Sequence, residues 1–325
     1  MIRTATNNTS RPVEQMCRRM LLQALLGVFA LVFASPVYCT DAPPRTVYVA
    51  GSGSAPLDQH LMSLLQAQLG EGINVIAISD RQVALSRNTP IITIGPAAFT
   101  RTRQANRSAP ILAMLVDKNF ISPFAANSPG QITGVFYDVP LLRQALIGKV
   151  ILPHTTKIAL LATPESAQYY EPLVDLLPAY NIKAQIFVVD EGKNLISTLT
   201  RALGYGDFLL AAPDSAIYNP RTIKHILLTA YRRNKIVIGP SQAYVKAGSL
   251  ASGYAPFAGM AEMAAEFINE YFESGQFPSP AYPERYRIEL NKQVARSLNI
   301  PLPDKKEINN AVQKLLNETG GPNIE

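Results

Sequence analysis

The sequence predicts an α/β protein built from two similar lobes, and three observations support this fold class. The chain has 325 residues, which is more than one compact core usually holds. From Arg45 onward, short β-branched runs alternate with longer helical patterns, as is typical of parallel α/β folds. The alternation occurs in two series, separated by the turn cluster Asn-Ser-Pro-Gly at 127–130. Each series therefore predicts one lobe with a parallel sheet covered by helices.

The first series predicts strands at 46–50, 74–78, 91–94 and 111–116. The segment 56–69 predicts a helix, because Leu57, Leu61, Leu64 and Leu65 recur close to one face at helical spacing. An extended stretch at 132–138 and a helix at 140–151 then lead into the second half of the chain. We interpret this passage as a crossover between the two lobes.

The second series predicts strands at 158–162, 185–189, 208–212 and 236–238, with helices at 166–179, 195–203 and 221–233. A helix at 256–273, an extended piece at 286–290 and a short helix at 293–298 follow. We expect a first lobe of residues 45–140 plus 243–276, a second lobe of 141–242 plus 277–303, and a tail of 304–325. These would be two Rossmann-like lobes with parallel sheets, joined by a multi-strand hinge and binding ligand at the carboxyl ends of their strands.

The N-terminus predicts export. Arg18 and Arg19 precede an apolar run at 20–33, which Ala-Ser-Pro at 34–36 ends. The run is shorter than the roughly 20 residues that a membrane-spanning helix needs. We therefore expect residues 1–42 to be a signal peptide cleaved near Cys39 or Ala42, and the protein to be periplasmic. An uncleaved anchor and lipidation of Cys39 are the alternatives.

Composition narrows the class of function. Both cysteines, Cys17 and Cys39, lie in or beside the export segment, so the mature chain is expected to have no disulfide and no thiol chemistry. The formal charge of +6 falls by half when the first 39 residues, with four arginines and one glutamate, are removed. So small a surplus does not favour binding to nucleic acid or to a membrane surface.

Two loops of the first lobe are candidate ligand contacts. Ser52, Gly53 and Ser54 follow the first strand and open a helix, so that hydroxyls and free N–H groups form a cradle for an anion or carboxylate. A plain N-cap at Ser54 is the alternative. After the third strand, the run Pro96, Ala97 and Ala98 offers backbone donors for a second oxygen or a ring edge, or is a simple strand-to-helix turn.

In the second lobe, polar residues follow the strand ends or lie at the return crossover. They are Glu165, Asp190, Asp214, Ser215 and Gln242. A carboxylate at such a position can bind a ligand ammonium, and Asp214 is the best candidate. The alternatives are an N-cap role for Asp214 and a first-turn helix role for Glu165.

Aromatic and basic side chains are weaker signals. Tyr137, and with it Tyr169, Tyr218 and Tyr254, can stack on a flat ligand or serve as core and rim residues. A basic group on one side of the first lobe is either a solvated face or a docking surface. It comprises Arg81, Arg87, Arg101, Arg103 and Arg107.

Patterns of catalysis are missing from the sequence. His60, His154 and His225 are isolated, and the chain contains neither a Gly-x-Ser-x-Gly elbow nor a phosphate loop. We therefore predict a binding protein without metal or cofactor rather than an enzyme.

The order of several motifs resembles an ABC-transporter substrate-binding family that includes tryptophan- and phenylalanine-type binders. The motifs are PGQITGV at 129–135, LP at 152–153 before KIALL at 157–161, PDS at 213–215, VKAGSLA at 245–251, and Asn291 with ARSL at 295–298. The chain departs from the family at Asp117-Lys118, where Asp-Pro is common, in one missing glycine of the first motif, at Asn299 in place of Gly, and in a short segment at 79–90. The resemblance implies a type I periplasmic-binding-protein fold.

The combined prediction is a periplasmic protein that captures a small organic solute, amino-acid-like or aromatic/heterocyclic, between its lobes and delivers it to an ABC permease in the inner membrane. The alternative is an extracytoplasmic sensor or accessory binding protein that acts through a sensor kinase or an outer-membrane receptor. An enzyme is the third and weakest hypothesis.

Overall fold

The computed structural model describes residues 45–84, 88–190 and 194–319. The predicted signal peptide at 1–42, both cysteines and Arg87 lie outside the described residues. None of the helices in the described ranges is long and apolar enough to cross a membrane.

The first lobe contains a five-stranded parallel sheet with strand order β2-β1-β3-β4-β5. Its elements are β1 (Arg45–Ala50), α1 (Ala55–Leu69), β2 (Ile73–Ala77), α2 (Asp80–Val83), β3 (Ile91–Ile94), α3 (Gly95–Ala105), β4 (Ile111–Val116), α4 (Lys118–Asn127) and β5 (Ile132–Phe136). The four predicted strands are confirmed to within one residue. Between β2 and β3 the described helix α2 has only four residues, in agreement with the shortened segment at 79–90.

The second lobe contains a six-stranded sheet with strand order β11-β10-β9-β8-β6-β7, parallel except for β11. Its elements are α5 (Leu141–Ile151), β6 (Lys157–Ala162), α6 (Pro164–Ala167), α7 (Glu171–Leu176), β7 (Lys183–Val188), α8 (Leu195–Tyr205), β8 (Phe208–Leu210), α9 (Ile223–Arg232), β9 (Ile236–Ile238), α10 (Gln242–Ala247), β10 (Ala251–Tyr254), β11 (Arg287–Leu290), α12 (Lys292–Ser297) and α13 (Lys305–Glu318). One further helix, α11 (Phe257–Ser274), belongs to the first lobe, where its buried face packs on α1.

Each sheet is buried on both faces, which explains why its strands are continuous apolar runs rather than alternating ones. In the first lobe one face of the sheet is covered by α1 and α11 and the other by α3 and α4. In the second lobe α5, α7 and α13 cover one face, and α8 and α9 cover the other. Both lobes are therefore three-layer α/β/α units.

The chain passes between the lobes three times, at 137–140, at 255–256 and at 282–286. The third passage begins at Ala281, which adds a bridge to the outer edge of β5 through Val135. Three crossovers confirm the predicted multi-strand hinge.

Three predicted boundaries differ from the structure. Residues 277–281, assigned to the second lobe, pack on the first, where Phe277 joins the core and Ala281 pairs with Val135. Strand β10, at residues assigned to the first lobe, pairs with β9 and β11 in the second sheet. The tail after 303 contains α13, which packs on α5. A capping box begins this helix: Asp304 Oδ1 accepts from the Glu307 N–H at 2.7 Å, and Glu307 Oε2 accepts from the Asp304 N–H at 2.9 Å. The tail is thus part of the second lobe.

The single helix predicted at 166–179 is broken in the structure into α6, α7 and a 3₁₀ turn at Leu177–Tyr180. Pro172 and Pro178 explain the break, because proline has no N–H to donate and fits the first turn of a new helix. The predicted strand at 208–212 is also shorter and ends at Leu210.

Candidate functional site

A cleft of about 580 Å³ lies where the two lobes meet the crossovers. Its walls come from the start of α4 in the first lobe, from the first and third crossovers, and from α6 and α7 in the second lobe. These segments follow the carboxyl ends of β4, β5 and β6, the edge at which ligands bind in open parallel sheets. A second depression, of about 480 Å³, is lined by one face of α13 alone. We therefore take the cleft as the candidate site.

A strained backbone shapes the first-lobe wall. The register between β4 and β5 shifts between Met114 and Val116, and Leu115 has φ of +56°. A bulky residue in the left-handed region is an outlier, and such bulges re-aim the chain beside functional sites. Directly after the bulge, Asp117 caps α4 by accepting the Phe120 N–H at 2.8 Å. Burial of its carboxyl group raises the pKa of Asp117.

The floor of the cleft contains the buried carboxyl group of Asp138, which is only 7% exposed. One oxygen, Oδ2, accepts a long hydrogen bond of 3.4 Å from the Tyr282 hydroxyl. The other, Oδ1, has no hydrogen-bond partner among the described residues. Burial, together with the nearby charge of Asp117, raises the pKa of Asp138 to about 7. An unpartnered buried oxygen of this kind is costly unless a donor reaches it.

Aromatic and apolar side chains form the second-lobe wall. Tyr169 is half-exposed, and Tyr170 beside it is buried with a hydroxyl that has no partner among the described residues. Pro172, Leu173 and Pro213 complete this wall. The combination of a largely apolar cleft with a few unsatisfied polar atoms is typical of small-molecule sites.

Asp214, the favoured sequence candidate, is buried inside the second lobe. Its Oδ2 accepts from the Thr163 N–H at 3.1 Å and the Ser166 hydroxyl at 2.5 Å, and its Oδ1 accepts from the Ala216 and Ile217 N–H groups at 3.0 and 3.3 Å. Both oxygens therefore hold the loops after β6 and β8 together. Asp214 is not among the residues that line the cleft, although its neighbour Pro213 is.

The loop after β1 forms the predicted carboxylate cradle, and the protein's own Asp58 occupies it. Asp58 Oδ1 accepts from the N–H and the hydroxyl of Ser52 at 2.8 and 2.7 Å, and its Oδ2 accepts from the Gly53 N–H at 3.3 Å. Ser54 starts α1 without a side-chain capping hydrogen bond and is exposed. These three loop residues do not line the cleft.

The remaining candidates are placed apart from one another. Pro96 and Ala97 are exposed in the first turn of α3, whereas Ala98 is fully buried in the core. Glu165 is exposed in the first turn of α6, as its alternative reading predicted.

Asp190 and Ser215 are exposed, and none of the polar or loop candidates named so far lines the cleft, whereas Tyr169 does. Gln242 donates to Glu289 Oε2 at 3.3 Å within the second lobe. Tyr137 is partly buried, and its pKa is raised by burial and by the charges of Asp117 and Asp138, which places it beside the cleft floor.

Among the described residues no group of three His, Cys, Asp or Glu side chains is placed to hold a metal ion. Two arginines of the basic group form hydrogen bonds within the first lobe. Arg101 donates to the Gly51 carbonyl at 3.1 Å. Arg103 donates to the Ser128 hydroxyl at 3.2 Å and to the Arg107 carbonyl.

Sequence reasoning missed the two carboxylates nearest the cleft. Asp117 and Asp138 each follow a strand end, β4 and β5 respectively, which is the rule that had selected Asp190 and Asp214. The signal was thus present in the first lobe, but Asp117 was noted only as a departure from a family motif, and Asp138 only as the end of an extended stretch. Tyr282 had no comparable signal, because it reaches the site from a distant crossover.

Solved structures of other proteins share this architecture. An ABC domain from Streptococcus pneumoniae in complex with L-Trp is 17% identical, with a TM-score of 0.57 over 80% of this chain and 96% of that chain. A conserved domain protein from Vibrio cholerae O1 biovar El Tor is 19% identical, with a TM-score of 0.58 over 83% and 98%. A ligand-free, open substrate-binding protein with adhesive properties from Clostridium difficile is 14% identical, with a TM-score of 0.63 over 81% and 97%.

No family model and no curated protein matches the chain. Membership of the tryptophan- and phenylalanine-type binder family therefore remains a prediction, and identities this low establish the fold alone. With three crossovers, two α/β/α lobes and a cleft between them, the chain has the type I periplasmic-binding-protein fold.

Proposed function

We propose that this protein is an exported solute-binding protein that captures one small organic molecule in the cleft between its lobes and passes it to an ABC permease. The observation that carries the proposal is the cleft itself, an apolar space of about 580 Å³ with the unpartnered oxygen of Asp138 in its floor. Among the structural neighbours, the ABC domain with bound L-Trp and the substrate-binding protein support a binding function rather than a catalytic one.

Native mass spectrometry of the purified protein tests the binding step. We expect one small molecule per chain, released on denaturation. Ser122 lines the cleft from α4, so Ser122→Trp should fill the space and abolish the bound mass. Ser197→Trp is the matched control, because Ser197 is exposed on α8 outside the cleft. A ligand retained equally by both variants would place binding elsewhere.

Export and delivery rest on the residues at 18–36 and on the fold. Cell fractionation should recover the protein from the periplasm with a new N-terminus near residue 40, and a membrane-bound full-length chain would contradict cleavage. For delivery, a strain lacking the gene should lose uptake of the molecule found by mass spectrometry. Normal uptake combined with a lost transcriptional response to that molecule would instead favour a sensory role.

A further inference from the structure

The charges around the cleft do not balance. Asp138 and Asp117 are two carboxyl groups close enough for each to raise the pKa of neighbouring groups, and Lys118 is the one cationic side chain that lines the cleft in the described part of the chain. Arg143 and Glu284, one of each sign, line a separate cavity of about 10 Å³ behind Asp138. Asp138 and Lys118 line the cleft, and Asp117 precedes Lys118 in the chain without lining the cleft itself. With both carboxyl groups ionised, these three side chains together carry one uncompensated negative charge.

Asp138 lines the floor of the cleft and keeps one acceptor oxygen without a partner among the described residues. Its Oδ1 is buried and unpartnered, and the Tyr282 hydroxyl contacts only Oδ2. Lys118 does not neutralise it, because its Nζ lies 5.7 Å from the centre of the Tyr282 ring and makes no ion pair with Asp138. A buried carboxylate without a cationic partner is unfavourable, and an arriving ammonium group would remove that cost.

The Tyr282 ring is a second element of the same site. The ring packs edge-to-face on Phe136, 4.6 Å between centroids, which fixes its orientation beside Asp138. Its face already attracts the protein's own ammonium group from Lys118. A ligand ammonium would find a carboxylate and an aromatic face within one corner of the cleft.

A ligand carboxylate, by contrast, finds one cationic side chain among the described residues that line the cleft, Lys118. The cradle at Ser52 and Gly53 is already filled by Asp58, and Asp214 adds a further acidic group behind Tyr170. A zwitterion would leave the net charge of the cleft unchanged, whereas a monocation would cancel it. Charge balance therefore distinguishes an amine from an amino acid.

Building on the proposed solute-binding function, we propose that the ligand is an organic cation, an amine without a carboxylate, whose ammonium group binds Asp138 beside the Tyr282 ring. The apolar wall of Tyr169, Pro172 and Leu173 takes its aliphatic or aromatic body. Lys118 is then a competing cation that the ligand displaces.

A charge-matched ligand panel tests this substrate class by calorimetric titration at pH 8. The panel combines three apolar groups with four functional groups: amine, alcohol, acid and amino acid. The indole compounds are tryptamine, tryptophol, indoleacetate and L-tryptophan. The phenyl compounds are phenethylamine, phenethyl alcohol, phenylpropionate and L-phenylalanine, and the alkyl compounds are hexylamine, hexanol, hexanoate and L-norleucine. We expect at least one amine to bind tenfold or more tightly than its three counterparts. Asp138→Asn should remove that preference while leaving the alcohol unaffected.

Lys118→Met separates the two classes most sharply. If Lys118 competes with the ligand, the variant should bind the preferred amine several-fold more tightly; if Lys118 instead receives a ligand carboxylate, the variant should bind amino acids more weakly. Because protonation of Asp138 competes with the amine, the affinity of the native protein should fall on the order of 10- to 100-fold from pH 8 to pH 5. Asp138→Asn should show no such fall.

Tighter binding of an acid or amino acid, binding by no amine, or unchanged amine affinity in Asp138→Asn would overturn the cationic class. None of these results touches the proposed binding function, because native mass spectrometry with Ser122→Trp decides that question independently. A bound molecule that is neutral or anionic would retain the function and reject the cation.

Discussion

At the scale of single residues, Asp138 and Asp214 show how two buried carboxyl groups acquire different roles. Asp214 is 7% exposed, as is Asp138, but four donors satisfy it, and it joins two loops of one lobe. Asp138 has one long hydrogen bond and a buried oxygen without a partner among the described residues. Equal burial therefore accompanies full hydrogen bonding in one case and an unsatisfied acceptor in the other, and only the second is the group that we propose for ligand binding.

Asp138→Asn is expected to change how stability depends on pH. A carboxyl group whose pKa is about 7 when folded and near 4 when unfolded binds protons more tightly in the folded state. It stabilises the fold at low pH, and that contribution is lost as pH rises through about 7. From pH 5 to pH 8 the loss is about 2–3 kcal/mol for the ligand-free protein.

Urea denaturation at pH 5, 6, 7 and 8 measures this effect. The native protein should become less stable as pH rises, and Asp138→Asn should show a clearly flatter profile. Because the pKa of Asp117 is raised as well, part of the dependence of stability on pH should remain in the variant. Asp190→Asn, at an exposed position, is the control and should keep the native profile. Parallel profiles for Asp138→Asn and the native protein would contradict the raised pKa.

Asp214→Ala should lower the free energy of unfolding by about 1–3 kcal/mol, because the loops after β6 and β8 lose the side chain that joins them. The loss is moderate, since the Thr163 N–H keeps the Ser166 hydroxyl and the Ile217 N–H keeps the backbone carbonyl of residue 214 as acceptors. Denaturant titration measures the loss, with Asp190→Ala as the exposed control. The same variant tests the ligand role predicted from sequence: weakened affinity in the folded variant supports it, and unchanged affinity assigns Asp214 to the framework.

At the scale of secondary-structure elements, helix α5 stabilises strand β10, which pairs with its neighbour β9 over only part of its length. Strand β10 pairs with β9 at Ala251 alone, so its later backbone groups need other partners. The buried amide of Gln144 on α5 supplies them: its Oε1 accepts from the Gly253 N–H and its Nε2 donates to the Gly253 carbonyl, both at 2.8 Å. A side chain thereby continues the sheet next to the second crossover.

Gln144→Leu keeps the volume of the side chain but leaves both backbone groups of Gly253 without these partners. The Gly253 carbonyl keeps the Ser252 hydroxyl as a donor at 2.8 Å, so only the Gly253 N–H is left unsatisfied. We expect the free energy of unfolding to fall by about 1–3 kcal/mol, the cost of one buried unsatisfied group. Hydrogen exchange should show faster opening near 251–254. Gln104→Leu, on the exposed side of α3, should change stability by less than about 0.5 kcal/mol. Similar losses in both variants would show that the buried amide contributes nothing specific.

At the scale of the whole molecule, three crossovers join the two lobes, and the cleft lies beside two of them. The cleft floor and both walls come from different lobes and crossovers, so a bound molecule touches all of them at once. Ligand contacts made with both lobes favour the closed arrangement over the open one.

Small-angle scattering should therefore record a smaller radius of gyration when the preferred amine is added at saturation. Ser122→Trp, which fills the cleft from α4, should show no response to the amine, and Ser197→Trp should respond like the native protein. An unchanged radius in the native protein, with binding confirmed by calorimetry, would mean that the lobes are already closed without ligand.

The sequence by itself determined the elements and their order. Apolar β-branched runs and helical spacing are local signals, so the strands at 91–94, 111–116 and 236–238 were predicted with their observed ends. The two-lobed α/β class followed from the repeated series. Two further local signals were present in the sequence but were not used in the prediction. They are the prolines that break the segment 166–179 and the Asp304–Glu307 capping box that starts α13.

Only the tertiary structure decided where the elements meet. The place of β10 in the second sheet, the filling of the Ser52 cradle by Asp58, and the convergence of Asp138 with Tyr282 depend on contacts between segments far apart in the chain or on the path of a loop. Topology alone predicted that residues after strand ends would line a cleft, but many strand ends in both lobes were equally possible. Strand order and the approach of the lobes selected those after β4, β5 and β6, because burial and hydrogen bonding are settled by packing in three dimensions rather than by spacing along the sequence.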